Sequence, residues 1–198
     1  MPTLYILAGP NGTGKTTYYE TAIAEKFIDP DLPFINADLI TRSLPGGYTP
    51  ENFAKADEIT RAKIAEHINA MTDFMIESNL ATQKDYDWIN ALVKKGYEVV
   101  LFFLCTSFVE ININRVKKRV AEGGHDIAEP IVEHRYTMGL TYLKGNLQLF
   151  QKAYLIDNSE ETALVMAELN NGFIQSKEPN SPKWVSDVLY IAERLKKK

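Results

Sequence analysis

The sequence predicts an α/β domain with a mostly parallel central sheet flanked by helices, and three observations predict it. Short apolar runs alternate with helix-length segments along most of the 198 residues. One run, residues 97–104, is almost continuously apolar, as a strand covered on both faces of a parallel sheet requires. The first run, residues 4–8, feeds into Gly9-Pro10-Asn11-Gly12-Thr13-Gly14-Lys15-Thr16-Thr17, which fits G-x-x-x-x-G-K-[ST] at every fixed position.

Each fixed position of that loop has a physical job. A triphosphate needs many donors converging from backbone, and glycine permits both the close approach and the φ > 0 turns. Lys15 reaches the β- and γ-phosphates from what is expected to be an exposed loop, and Thr16 offers its hydroxyl to Mg²⁺. The helix that starts near Gly14 aims its unsatisfied N–H groups and positive dipole end at the same phosphates. Gly9, Pro10, Asn11, Gly12, Thr13, Gly14, Lys15, Thr16 and Thr17 are therefore the expected nucleotide-binding loop of a P-loop NTPase fold.

The remaining elements come in order. The loop's helix is expected over residues 16–27, and Asp29-Pro30-Asp31-Leu32-Pro33 breaks it. Residues 34–38 read as a short strand ending in a carboxylate, with a brief helix over 39–44 and a flexible loop at Pro45-Gly46-Gly47-Tyr48. Thr49 as N-cap and Pro50 at the first helical position open a long helix. Its apolar stripe, Phe53, Ala56, Ile59, Ile64 and Ile68, keeps helical spacing to about Met71. A third strand over about 73–78 again ends in an acid, Glu77, and a helix over 84–95 is closed by Gly96. Ser107-Phe108-Val109-Glu110 has capping-box spacing and opens a helix to about 122, which Gly123-Gly124-His125-Asp126 interrupts. A helix over about 130–151 and a strand over 153–157 come next. The tail reads as a β-hairpin turning at Asn171-Gly172, then a helix over about 182–197 with Trp184, Val188, Ile191 and Leu195 on one face. Lys196-Lys197-Lys198 reads as a solvated end matched to the helix dipole. With no repeat or linker in the chain, one domain is expected over 1–198, its core at about 2–160 and the hairpin and helix at about 161–198.

Composition bounds the function. A hydrophobic share of 45% and a net charge of −4 belong to an ordinary globular chain, and the acidic balance argues against nonspecific binding to nucleic acid or anionic membrane over the whole surface. Neither nucleic acid nor membrane is an expected partner. The single cysteine, Cys105, follows an apolar run, so a buried thiol in a reducing, cytoplasmic setting is expected. No apolar run approaches the ~20 residues that span a membrane.

Beyond the loop, two acids at strand ends, Asp38 and Glu77, are candidates to converge on the γ-phosphate, because ligands of open parallel sheets gather beyond the carboxyl ends of the strands. One could serve as base for an attacking hydroxyl and the other hold Mg²⁺ or substrate; the alternative is that each caps a helix or turn. Arg115 and Arg119 stand four apart on one helix face and could clamp the triphosphate as a lid, or form part of a solvated basic face with Lys117 and Lys118. His125 is read either as a lid or substrate contact or as a polar turn residue. Arg135 lies in a mostly apolar pattern and needs a partner, a carboxylate or a ligand phosphate. Asp157 and Asn158, with Ser159, line a nucleotide base pocket or turn the chain.

With these residues in view, the chain resembles the zeta-toxin-like branch of the P-loop kinases over about residues 2–160. The resemblance is carried by Gly9 to Thr17, Asn36-Ala37-Asp38, Glu77, Arg115 and Arg119, Gly123-Gly124-His125, Arg135-Tyr136 and Asp157-Asn158-Ser159. It implies that Lys15 and Thr16 bind phosphates and metal, that Asp38 activates a substrate hydroxyl, that Glu77 orients the substrate, and that the arginines stabilise charge. Well-studied members phosphorylate a sugar hydroxyl of UDP-N-acetylglucosamine and are held inactive by an antitoxin, so both are implied here. This chain departs from compact relatives at Glu77-Ser78-Asn79-Leu80-Ala81, where they tend to have Glu-Thr-Thr-Leu-Ser, and at Ala128-Glu129-Pro130, where they often have an earlier proline.

The leading expectation is an ATP- and Mg²⁺-dependent kinase acting on a small hydroxyl-bearing metabolite. The rival is a nucleotide-binding regulatory or interaction module, such as the toxin partner of an antitoxin. No D-x-x-G or N-K-x-D suggests a GTPase switch, and no L-S-G-G-Q suggests a transporter ATPase.

Overall fold

The alternation of apolar and helical segments resolves into β1 (Thr3–Ala8), α1 (Lys15–Ala24), β2 (Phe34–Ile35), α2 (Ala37–Ser43), α3 (Pro50–Ala70), β3 (Phe74–Ser78), α4 (Gln83–Lys94), β4 (Glu98–Cys105), α5 (Val109–Ala121), α6 (Glu129–Asn146), β5 (Lys152–Asp157), β6 (Leu164–Asn170), β7 (Phe173–Lys177) and α7 (Lys183–Leu195). The computed structural model describes residues 1–195. The expectations for Lys196-Lys197-Lys198 and for the side chain of Leu195 lie outside the described residues.

The seven strands lie in the order β2-β3-β1-β4-β5-β6-β7. The first five in that row are mutually parallel, while β6 runs antiparallel to β5 and β7 to β6. The chain starts in the middle and winds first towards β2, then back across β1 towards β5. The winding therefore reverses at β1, and the crevice beyond its carboxyl end is where such sheets bind ligands.

Strand alternation gives the sheet two apolar faces. On one, Ile6, Phe74, Leu101 and Phe103 join Tyr86 and Ile89 of α4, Leu143 of α6, and Trp184, Val185 and Leu189 of α7. On the other, Leu7, Met75, Phe102, Leu104 and Ile156 meet Ala22 of α1 and Ile28 beyond it. Every residue of β4 after Glu98 is buried, which explains its unbroken apolar run. Cys105 is buried as expected, and burial pushes its thiol up to about 12.

Several local expectations are corrected. β2 has only two residues, and Asp38 sits in the first turn of α2 instead of ending a strand. The cap there is Asn36, whose side chain accepts from Leu39 N at 3.1 Å, so Asp38 is not a helix cap. The capping box lies at Thr82 and Asp85 of α4. Ser107 does not cap α5, because its amide donates to Ser159 Oγ at 2.7 Å and its hydroxyl lies 3.0 Å from the same oxygen; Phe108 is the N-cap, without a side-chain bond. α6 stops at Asn146 and passes into a 3₁₀ turn, Leu147–Leu149. α3 buries only Ala56 fully, and on α7 Ile191 faces outward while Val185, Leu189 and Ala192 face the core. The hairpin turn is as expected, with Asn171 at φ 49 and Gly172 at φ 76, the signature of a primed turn.

Candidate active site

The loop after β1 is pressed against its neighbours so closely that side chains are excluded. Gly9 has φ 139, and a Cβ there would lie 2.0 Å from the Leu104 carbonyl oxygen of β4. At Gly12, φ 80, it would lie 2.4 Å from the Asn112 carbonyl oxygen of α5. The loop's carbonyls are held from outside. Asn112 is fully buried, its Nδ2 donates to Asn11 O at 2.7 Å, and its Oδ1 accepts from the Thr106 hydroxyl. Asn158 Nδ2 donates to Thr13 O at 2.6 Å, and Thr13 Oγ1 donates to Pro10 O at 2.9 Å. No motif in the sequence marks Asn112; its one signal is a polar residue on the buried stripe of an amphipathic helix, beside Ile113 and Val116.

Lys15, expected to be exposed, is buried, with 7% of its surface accessible. The loop folds back over it, so Nζ donates to Gly9 O at 2.8 Å and Pro10 O at 3.3 Å and stands 3.4 Å from Glu77 Oε1. The other oxygen of Glu77 accepts from Asn36 Nδ2 at 2.6 Å. Glu77 is thus fixed from two sides, whereas Asp38 is exposed and, among the described residues, has no side-chain hydrogen bond or ion pair.

Two clefts open here. The loop cleft, about 430 Å³, is lined by the loop with Thr16, Thr17, Arg115, Arg119 and Asn158. The side cleft, about 540 Å³, is lined by Asn36, Phe53, Asn79, His125, Asp126 and Arg135 among others. Asn11, Asp38 and Glu77 line both. Exposed Thr16 lines the loop cleft together with Asp38 and Glu77, and hydroxyl and carboxylate oxygens are the hard donors that fit Mg²⁺.

The arginines divide their work. Arg115 donates to the carbonyls of Asn158 at 2.7 Å and of Ser159 and Glu160 at 3.3 Å, which shapes the segment after β5. Arg119 Nη2 donates to His125 O at 3.0 Å, and its buried Nε has no partner. Arg135 is held by an amide and not by a carboxylate: Nη1 donates to Asn11 Oδ1 at 2.7 Å. Among the described residues none of the three is ion-paired, so their charge remains available to a phosphate. His125 stacks on Tyr48, 5.5 Å between ring centroids, and packs tilted against Phe53 at 4.8 Å, while Tyr48 and Phe53 are themselves 6.0 Å apart. Asp157 is turned to structural use and lines neither cleft. Its Oδ1 accepts from Trp184 Nε1 at 2.9 Å and from Ser159 Oγ at 3.0 Å.

A family model described as zeta toxin matches residues 1–166. The chain belongs to the zeta toxin family. An uncharacterized protein of Haemophilus influenzae is 32% identical to this zeta toxin family member over 130 residues, 65% of this chain and 88% of that one. The zeta toxin fold is also found, at 17% identity and a TM-score of 0.57, in the PezAT chromosomal toxin-antitoxin system of Streptococcus pneumoniae, over 100% of this chain and 87% of that one. AvrRxo1-ORF1:-ORF2 with ATP aligns at 16% identity and a TM-score of 0.69 over 97% of this chain, which spans 64% of that chain's length. Among the described residues, no helix is long and apolar enough to cross a membrane.

Proposed function

We propose that the chain is an ATP- and Mg²⁺-dependent kinase that transfers the γ-phosphoryl group to a hydroxyl of a small metabolite. One observation carries the reading: a phosphate-loop cleft and a second cleft share a wall made of Asp38, Glu77 and Asn11, so donor and acceptor can meet at an unpartnered carboxylate. Loop amides and Lys15 hold the β- and γ-phosphates, with Lys15 exchanging its carbonyl partners for phosphate oxygens. Thr16 would hold Mg²⁺, which supplies neutralisation of the phosphate charge. Asp38 accepts the acceptor's proton as its oxygen bonds to γ-phosphorus and the bond from γ-phosphorus to the β–γ bridging oxygen breaks, leaving ADP. Glu77 orients the acceptor, and Arg119 and Arg135 balance charge on the moving group. Asn158 borders the nucleoside end. The PezAT neighbour belongs to a toxin-antitoxin system, and a protein antitoxin is proposed as a partner on that analogy.

The test is ATP turnover with a confirmed acceptor in wild type and Asp38→Asn. Asparagine keeps the shape but not the basicity, so turnover should fall by roughly 10²–10⁴-fold with ATP affinity nearly unchanged. Near wild-type turnover would remove Asp38 from the mechanism, and binding without any acceptor-dependent turnover would leave a nucleotide-binding module.

A further inference from the structure

We propose that Gly124 is a positioning residue for Arg119: having no side chain, it seats the arginine stem and so fixes the guanidinium in the loop cleft. The inference rests on the kinase reading, in which Arg119 balances charge on the phosphates, and names what holds that side chain in place.

The two glycines after α5 do different work. Gly123 lies at φ 88, the left-handed turn that closes a helix, and a Cβ on it would meet nothing within 4 Å. Its amide donates to Val120 O and that of Gly124 to Arg119 O, each at 2.9 Å, and this pair of bonds closes the last turn. Gly124 has no left-handed φ to demand a glycine. A Cβ there would instead lie 2.6 Å from Arg119 Cγ, 3.3 Å from its Cδ and 2.9 Å from Arg119 O. The space that a side chain would fill is taken by the arginine stem.

That seat matters because little else holds the side chain. Nε is buried without a partner, which is unfavourable and has to be offset by other contacts. Among the described residues the guanidinium makes one hydrogen bond, from Nη2 to His125 O at 3.0 Å, and no ion pair. Its charge therefore stays in the loop cleft, which Arg119 lines beside Lys15 and Arg115. Both holds, the bare Cα of Gly124 and the carbonyl of His125, come from adjacent residues just past α5, so this short stretch sets the arginine's rotamer. A long side chain ordered in advance loses less entropy when a triphosphate binds.

The experiment titrates a nonhydrolysable ATP analogue with Mg²⁺ calorimetrically into wild type, Gly124→Ala, Arg119→Ala, the double variant and Gly123→Ala. Arg119→Ala should weaken the analogue about tenfold, as the loss of one charge-assisted bond to phosphate does. Gly124→Ala should match it, because the new methyl displaces the stem. The double variant should also stand about tenfold below wild type and not about a hundredfold, since the second change removes nothing that the first has left. The contact with Arg119 O is present in both backgrounds and drops out of the cycle. Gly123→Ala strains the same turn without touching the arginine, so it should lower Tm by about 2–8 °C while analogue affinity stays within about twofold of wild type. Wild-type affinity in Gly124→Ala, a further loss of about tenfold in the double variant, or an equal loss in Gly123→Ala would overturn the inference while leaving Arg119 on the triphosphate. Wild-type affinity in Arg119→Ala would instead take the guanidinium off the triphosphate, which overturns that part of the kinase reading and leaves Gly124 nothing to position.

Discussion

Replacing Asn112 by alanine tests whether the phosphate loop is held in shape from α5. The side chain is wholly buried and makes two hydrogen bonds, to Asn11 O at 2.7 Å and with the Thr106 hydroxyl. Thr106 Oγ1 also lies 3.0 Å from Phe108 O and keeps that partner after the substitution, whereas the Asn11 carbonyl loses the donor from Asn112. An orphaned buried acceptor costs about 1–3 kcal/mol. Three missing heavy atoms in a closed site add about 1 kcal/mol. The sum, about 2–4 kcal/mol, corresponds to a fall in Tm of roughly 4–16 °C for a chain of this size. Because Asn11 lines both clefts, the slackened loop should also lose about tenfold in affinity for a nonhydrolysable ATP analogue. Thermal unfolding followed by circular dichroism and calorimetric titration read the two effects separately. Asn112→Asp should be worse than alanine, since it faces a carbonyl with an unpaired buried charge. A Tm within about 1 °C of wild type together with unchanged analogue affinity would refute the reasoning.

Four further outcomes are expected. Gly9→Ala forces a Cβ to 2.0 Å from Leu104 O at φ 139, so it should destabilise by more than about 3 kcal/mol in urea unfolding or fail to fold. Lys15→Ala should abolish productive ATP binding, and unchanged affinity by calorimetry would sink the phosphate-loop assignment. Hydrogen exchange in residues 115–126 should slow when the ATP analogue binds, because Arg119 ties His125 to the roof of the site. The Cys105 thiol, raised to about 12 by burial, keeps its proton in the folded state at pH values where an unfolded thiol loses it. The unfolded state then binds fewer protons, so stability falls with rising pH above about 9, by up to about 1.4 kcal/mol per unit from this group. Urea unfolding of Cys105→Ala between pH 9 and 11 should show a shallower decline.

The fold was legible where one local pattern sufficed. The continuous run of β4, the Thr49-Pro50 start of α3, the Asn171-Gly172 turn and the loop itself each arise from a few adjacent residues. The illegible parts were decided by distant partners. Ser107 has the spacing of a cap, yet Ser159, fifty-two residues on, takes its polar atoms. Asp157 stands where a nucleotide contact would, yet an indole from α7 occupies it. Lys15 is buried because the loop and Glu77 close around it, which needs β3 placed next to β1. The side cleft was the least legible part, since Phe53, Asn79 and Asp126 come from three separate segments that only the sheet order brings together.

The family match ends at residue 166, but the zeta toxin site is not mechanically independent of the C-terminal segment beyond that point. Trp184 of α7 buries its ring in the main core and grips Asp157 with its N–H; Asp157 braces Ser159, and Asn158 between them steadies the Thr13 carbonyl of the loop. The C-terminal helix is therefore a remote handle on the nucleotide. A fusion, cut or bound protein that pulls α7 off the sheet slackens the phosphate grip without entering either cleft, and Trp184→Phe, which keeps the packing but releases Asp157, turns that handle by its smallest increment.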